Sequence, residues 1–237
     1  MVITTETQVR DIVLEVPSAI PVLEHFGIDY CCGGKHTLAE ACTRGGKNIE
    51  IVLDEVERCG QSGTTSEIPW RSVPLRDLIE HILQKHHTFT RSQLALIQEL
   101  ASKVERRYGA AHPEIQKLNE MLATVSSELV HHLFCEENML FPYIEQLEGK
   151  QKGLFAVPFD SIQQPIARML QEHSQTGDEF RTLREITSNY QAPDDACTTY
   201  RALYRGLKDL EHDLYQHIHL ENNILFPRAL ALESERA

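Results

Sequence analysis

This chain contains two copies of one sequence motif, and the residues that follow the two copies also match. His132-Leu-Phe-Cys-Glu136 and His217-Ile-His-Leu-Glu221 start 85 residues apart, and each is followed at the same spacing by asparagine, phenylalanine and proline. Residues four positions apart share one face of a helix, with Cβ atoms about 5–6 Å apart. An imidazole and a carboxylate placed in this way can bind one metal ion together. The motif therefore predicts a metal-binding helix that occurs twice.

A further histidine precedes each motif at a similar distance. His87 lies 45 residues before His132, and His173 lies 44 residues before His217. Each half of the repeat thus predicts two antiparallel helices. Two such halves predict an all-α protein whose main part is a four-helix bundle with inward-facing ligands. Apolar residues stand three or four positions before these histidines, as expected for a buried helix face: Leu83, Leu129, Met169 and Leu214.

The candidate metal ligands are four imidazoles and two carboxylates. They are His87, His132, Glu136, His173, His217 and Glu221. Imidazole suits iron, zinc and copper, whereas a carboxylate is a hard ligand that can bridge two cations, so this set suits a pair of iron ions. Ferritin-like sites use Glu-x-x-His, which has the opposite order and a shorter spacing. A single zinc ion needs only three or four ligands and would leave two buried groups without a role.

The composition of residues 60–69 marks a linker, because this stretch is polar, rich in Gly and Ser, and without helical periodicity. The predicted organisation is a small helical domain at 1–59, a linker at 60–73 and the bundle at 74–237. Thr37-Leu-Ala-Glu40 has the form of a capping box at a helix start. Bundle helices are expected near 74–105, 113–147, 164–188 and 195–228, with Asp194 and Asp195 as the N-cap of the last.

The charge and the absence of targeting signals limit the classes of partner. The net charge of −12 argues against nucleic acid or an anionic membrane as a partner. No apolar run approaches the roughly 18 residues that a membrane span requires. The first ten residues lack the basic start and apolar core of a secretory signal, so we expect a cytoplasmic protein with reduced cysteines.

A pair of adjacent cysteines lies in the N-terminal domain, in the segment Asp29-Tyr-Cys-Cys-Gly-Gly-Lys35. The glycines permit unusual turns, and Lys35 is expected to lower the pKa of a nearby thiol. Cys31 and Cys32 are therefore candidate redox thiols. A disulfide between neighbouring residues forms a strained ring and is comparatively easy to reduce. The alternative is that both are small residues packed at a tight turn.

The chain resembles the family of iron–sulfur cluster repair di-iron proteins over nearly its full length. The resemblance rests on the segments Asp29–Lys35 and His217–Leu230, which occur in the family's order. It implies a hemerythrin-like bundle, the same six ligands, and two non-haem irons under an oxo or hydroxo bridge. It also implies that Glu136 and Glu221 bridge the irons. Classical hemerythrins differ, because they carry His-x-x-x-His and His-x-x-x-x-Asp elements that are missing here at the matching places.

The resemblance also implies a function. Members of the family restore iron–sulfur clusters damaged by nitrosative or oxidative stress, which predicts iron supply to damaged iron–sulfur proteins as the task. Open positions on the irons would admit nitric oxide or oxygen. Two alternatives stay open: reduction of nitric oxide to nitrous oxide, and binding or sensing of nitric oxide. A domain of about 59 residues buries little surface alone, so docking on the bundle or a homodimer is expected.

Overall fold

The computed structural model describes residues 2–61, 69–149 and 161–235. Half of the predicted linker, residues 62–68, lies outside the described residues. The described chain forms two compact units, one of Met1–Ser72 with Ile218–Ile224 and one of Val73–His217 with Leu225–Ala237. Regular structure in the described residues is helical, apart from an isolated antiparallel bridge between Gln8 and Thr37. The all-α prediction is confirmed.

The first unit consists of short helices, and residues close in sequence determine where its helix α3 starts and ends. The capping box is confirmed, since Thr37 Oγ1 accepts from the Glu40 N–H at 3.2 Å and Glu40 Oε2 accepts from the Thr37 N–H at 3.0 Å. Gly46, with φ of 60°, ends the same helix in the left-handed conformation that glycine favours. The helices are α1 Val9–Glu15, α2 Ile20–Phe26, α3 Leu38–Gly45 and α4 Ile49–Gln61.

The second unit contains the bundle. The bundle helices are α5 Leu75–His81, α6 Thr88–Tyr108, α7 Glu114–Cys135, α8 Phe141–Glu148, α9 Gln163–Ile186, α10 Thr198–Leu220 and α11 Phe226–Ser234, of which only the last three residues of α10 belong to the first unit. Apolar side chains of α6, α7, α9 and α10 form one buried core, which includes Ile97, Leu118, Phe180 and Leu203. Burial of these side chains is the main source of stability, because each removes a large apolar surface from water.

The bundle has four long helical segments, namely α5–α6, α7–α8, α9 and α10–α11. Short π-helical segments interrupt three of them. They are Ile82–His87 between α5 and α6, Glu136–Leu140 between α7 and α8, and Glu221–Leu225 between α10 and α11. Pro142 and Pro227 follow two of these segments closely. A proline ring crowds the carbonyl four residues earlier, and a widened turn ahead of the ring relieves that crowding.

One predicted helix start is wrong, and one helix extends past the predicted start of the linker. The helix expected to begin near residue 195 is α10, which begins at Thr198. The N–H of Ala196 donates to the Pro193 carbonyl at 3.0 Å, so this stretch is a turn and neither Asp194 nor Asp195 is the N-cap. In addition, α4 continues through Gly60 to Gln61, two residues into the predicted linker. Among the described residues, no helix is long and apolar enough to cross a membrane.

Candidate metal centre

The six predicted ligands come together in two overlapping groups. One group is His87, Glu136, His217 and Glu221, and the other is His132, Glu136, His173 and Glu221. Within each group, the candidate ligand atoms all lie within 4.8 Å of one another. All six side chains are buried. The glutamates belong to both groups, which is the arrangement that two bridging carboxylates require.

The two oxygens of Glu136 face different histidines. Its Oε2 lies 3.5 Å from His87 Nε2, and its Oε1 lies 3.3 Å from His132 Nε2. The imidazoles are also paired, with 3.2 Å between the Nε2 atoms of His87 and His217 and 2.9 Å between those of His132 and His173. Metal–nitrogen bonds of about 2.0–2.1 Å at a right angle would place two nitrogens about 3 Å apart. Each pair therefore fits neighbouring ligands of one cation.

Partly exposed carboxylates orient two of the histidines. His87 Nδ1 donates to Glu137 at 2.7 Å, and His132 Nδ1 donates to Glu172 at 2.8 Å. An ionised carboxylate only accepts hydrogen bonds, so Nδ1 carries a proton and Nε2 is the ring nitrogen left to bind a cation. Carboxylates in this position fix the tautomer of metal-binding histidines and strengthen them as ligands.

A histidine and an arginine together keep each of these carboxylates ionised. Hydrogen bonds from His132 and Arg168 lower the pKa of Glu172 to about 2, against the opposing effect of burial. For Glu137, burial raises the pKa, but hydrogen bonds from His87 and Arg91 outweigh it and the pKa is lowered. Two equivalent His–Glu–Arg chains thus lead from the buried groups to the surface.

Aromatic rings cover the histidines and explain part of the repeated motif. The ring of Phe141 lies 5.7 Å from that of His87, and Phe226 stacks on His173 at 6.0 Å. These phenylalanines occupy the same position in the two copies of the motif. Their role is to exclude water from the imidazoles, which strengthens electrostatic interactions between the ligands and a cation.

Two further histidines are buried beside the site, and sequence reasoning did not place them. His86 stacks on His217 with 5.5 Å between ring centres, and its Nδ1 lies 3.0 Å from Asp213 Oδ1. His219 is buried, which lowers its pKa to about 4, and it pairs with Asn223. The adjacent His-His dipeptide alone could not show that both rings face inward, since successive helix positions differ by about 100°.

The π segments place the ligands at helix irregularities. Glu136 and Glu221 are the first residues of two such segments, and His87 is the last residue of the third. Segments of this kind are frequent at functional sites because they change the direction of a side chain relative to a regular helix. The amide of Asn138 donates to the Phe134 carbonyl at 2.8 Å, beside the second segment. The repeated Phe-Pro sequence was the available signal for two of them.

The donor set fits metal cations. It combines imidazole nitrogens with two carboxylates that have almost no contact with water. Burying a carboxylate costs a large free energy unless a positive charge compensates it. Imidazole and carboxylate together suit iron and related transition metals more than magnesium or calcium, which prefer oxygen alone.

The adjacent cysteines lie in the first unit. Cys31 is buried and Cys32 is half-buried, with 3.9 Å between their sulfur atoms. The hydrogen bond to Cys32 is the main reason that the pKa of Cys31 is raised well above its usual value, and burial and Asp29 add to the effect. The prediction that Lys35 lowers the pKa of a nearby thiol is therefore wrong for Cys31, because the hydrogen bond to Cys32, followed by burial and the charge of Asp29, raises it.

Comparison with known proteins agrees with the geometry. A family model described as the hemerythrin HHE cation binding domain matches residues 78–229, and ScdA_N, a domain of unknown function, matches residues 5–59. Iron-sulfur cluster repair protein YtfE of Salmonella choleraesuis (strain SC-B67) is 38% identical over 224 residues, covering 94% of this chain and 96% of that protein. The same protein of Escherichia coli O81 (strain ED1a) is 39% identical with equal coverage.

The chain belongs to the YtfE family. This membership confirms the resemblance inferred from the cysteine segment and the second histidine motif. The cation-binding domain of the family spans all six residues of the two buried groups, from His87 to Glu221. The YtfE relatives are similar to this chain along almost their whole length, so the similarity covers both matched domains of this chain.

Proposed function

We propose that this protein holds two iron ions in the bundle and supplies iron for the repair of damaged iron–sulfur clusters. The observation that carries the proposal is the sharing of Glu136, whose two oxygens face His87 and His132 in different groups. The relatives named as iron-sulfur cluster repair proteins support the repair task. Damaged iron–sulfur proteins would be the partners, and a cytoplasmic location agrees with this task.

In this proposal each iron has its own pair of histidines. His87 and His217 bind one ion, His132 and His173 bind the other, and Glu136 and Glu221 bridge them. These donors fill fewer positions than two octahedral ions offer, which leaves room for an oxo or hydroxo bridge and for a small ligand such as nitric oxide or oxygen.

Iron release needs ligands that can turn away from the site. His87 and His132 suit this role because the carboxylates that orient them are only partly buried, with 29% of the Glu137 side chain and 28% of the Glu172 side chain exposed. Surface arginines in turn hold these carboxylates.

The test is iron transfer to an apo-ferredoxin under anaerobic conditions, followed by the absorbance of the restored cluster. The iron-loaded protein is expected to restore the cluster, and Glu136→Ala and Glu221→Ala should abolish transfer. Glu145→Ala is a matched control, because Glu145 is exposed on α8, the helix that directly follows the π-helical segment of Glu136. Failure of the iron-loaded wild-type protein to restore any cluster would reject the proposal.

Reduction of nitric oxide to nitrous oxide is the second candidate. The shared carboxylates place the two groups side by side, so two small molecules on neighbouring ions would be held close together. Headspace gas analysis with an electron donor distinguishes the outcomes. Repeated formation of nitrous oxide would favour this reaction, whereas a lasting nitrosyl signal without gas would favour binding or sensing. Sedimentation would test the separate prediction of a homodimer.

A further inference from the structure

The backbone of the cysteine pair is held on both sides. Asp29 Oδ1 accepts hydrogen bonds from the N–H groups of Cys31 at 3.0 Å and Cys32 at 2.9 Å. The amide of Asn222 donates to the Cys31 carbonyl at 3.3 Å within the same unit. The loop is therefore fixed before any ligand arrives, which lowers the entropic cost of binding.

The two glycines that follow are required by close contacts. A Cβ atom on Gly34 would lie 2.6 Å from the Tyr30 carbonyl oxygen and 2.8 Å from Arg10 Cβ, so no side chain fits. A Cβ atom on Gly33 would lie 3.1 Å from Asp29 Oδ2. Glycine at these positions lets the chain fold back tightly and leaves the space beside the Asp29 carboxylate open.

The thiols and this carboxylate have the spacing of ligands around one cation. The sulfur atoms of Cys31 and Cys32 lie 3.9 Å apart, and Cys31 Sγ lies 3.3 Å from Asp29 Oδ1. A tetrahedral ion with metal–sulfur bonds of about 2.3 Å holds two sulfurs about 3.8 Å apart, whereas a disulfide needs about 2.05 Å. Candidate ligand atoms of the three residues lie within 4.8 Å of one another.

We propose that Asp29, Cys31 and Cys32 bind one thiophilic divalent cation such as Zn²⁺ or Fe²⁺ through two sulfurs and one oxygen. Asp29 is exposed and Cys32 is half-buried, so a fourth coordination position faces solvent. Cys31 already directs its S–H towards Asp29 Oδ1, and the cation would take the place of that proton. This site would give the domain of unknown function a chemical role that does not depend on the ions of the bundle.

Binding of the cation to the two thiols leaves the net charge of the site unchanged. One divalent cation replaces the two thiol protons, which pass to the buffer, and no electron is transferred. The raised pKa of Cys31 agrees with this exchange, because its thiol beside Cys32 and Asp29 resists ionisation until a positive charge is present. The same crowding of acidic groups that disfavours a free thiolate favours a bound cation.

The test is a titration of the full-length, reduced, iron-loaded protein with Co²⁺ under anaerobic conditions. Co²⁺ bound to thiolates gives a charge-transfer absorption in the near ultraviolet, and the donors of the bundle groups include no sulfur. The absorption is expected to saturate at one Co²⁺ per chain. The double variant Cys31→Ser/Cys32→Ser should lose it completely.

Control variants separate this site from other thiols and from the bundle. Cys59→Ser and Cys197→Ser remove half-buried thiols elsewhere and should keep the full absorption. Asp29→Asn can still accept the backbone hydrogen bonds but loses its charge, so it should keep the absorption with weaker affinity. Glu136→Ala should leave the absorption unchanged, even if it abolishes iron transfer. No thiolate absorption in the wild-type protein, or an equal absorption in the double cysteine variant, would overturn the proposal.

Discussion

The Nε2 atoms of His87 and His217 lie 3.2 Å apart inside the bundle, although 130 positions separate the two residues in the sequence. His87 uses its Nδ1 proton for Glu137, so Nε2 is the ring nitrogen that faces His217. A proton or a cation must lie between two nitrogens at this distance. The pair of His132 and His173 repeats the arrangement at 2.9 Å.

Removal of a shared carboxylate should affect metal binding more than removal of one histidine. Glu136 belongs to both buried groups, whereas His87 belongs to one. We expect Glu136→Ala to lose most of about two irons per chain, and His87→Ala to lose about one. Metal analysis after anaerobic iron loading measures the difference, and circular dichroism checks the fold. Equal, small losses from both substitutions would contradict the bridging assignment.

Neutralising a carboxylate that orients a ligand should weaken binding without removing a ligand. Glu172→Gln keeps the size of the side chain but removes the charge that pairs with His132 and Arg168. Changes at such positions typically reduce metal affinity about 10–100-fold. Competition with a chelator measures the affinity. Glu145→Gln, at an exposed position of α8, is the control, and equal affinities for the two variants would show that Glu172 does not support the site.

The stability of the bundle should depend on pH through Glu179. Burial raises its pKa from 4.5 to about 7; Gln175 opposes this with a hydrogen bond, and Glu128 adds to it. A carboxyl group whose pKa is higher in the folded state than in the unfolded state lowers the stability of the fold as it ionises. For Glu179, stability is therefore lost as pH rises from the unfolded pKa of 4.5 through the folded pKa of about 7. Glu179→Gln should therefore raise the melting temperature at pH 8 but not at pH 4.

Thermal unfolding at the two pH values measures this effect. Glu185→Gln, an exposed position on the same helix, is the control and should change the melting temperature little at either pH. The same stabilisation by Glu179→Gln at both pH values would show that ionisation of this carboxyl group is not the cause.

The capping box of α3 should contribute measurably to the first unit. Thr37→Ala removes the oxygen that accepts the Glu40 N–H, and loss of such a cap costs about 1 kcal/mol. Urea denaturation followed by circular dichroism gives the free energy of unfolding. Thr43→Ala in the same helix is the control, since its hydroxyl bonds only to a carbonyl one turn earlier. A loss at Thr43 as large as that at Thr37 would argue against a specific capping effect.

Features that depend only on residues close in sequence could be predicted. The capping box at Thr37, and the position of His132 and Glu136 on one face of a helix, follow from the spacing of residues within one or two helical turns. The start of α10 was not predictable in this way, because Asp194 and Asp195 are good N-cap residues that lie in a turn instead. Competing local preferences of this kind are settled by the packing of the following helix.

The sequence alone determined the helical class, the twofold repeat and the six residues that meet in the bundle, because helix periodicity is a property of each segment by itself. Only the tertiary structure decided which histidines pair, which oxygen of Glu136 faces which ring, and that Glu137 and Glu172 orient two of them. It also decided the raised pKa of Cys31. These features depend on distances between residues far apart in sequence and on exclusion of water, and neither is present before the helices pack.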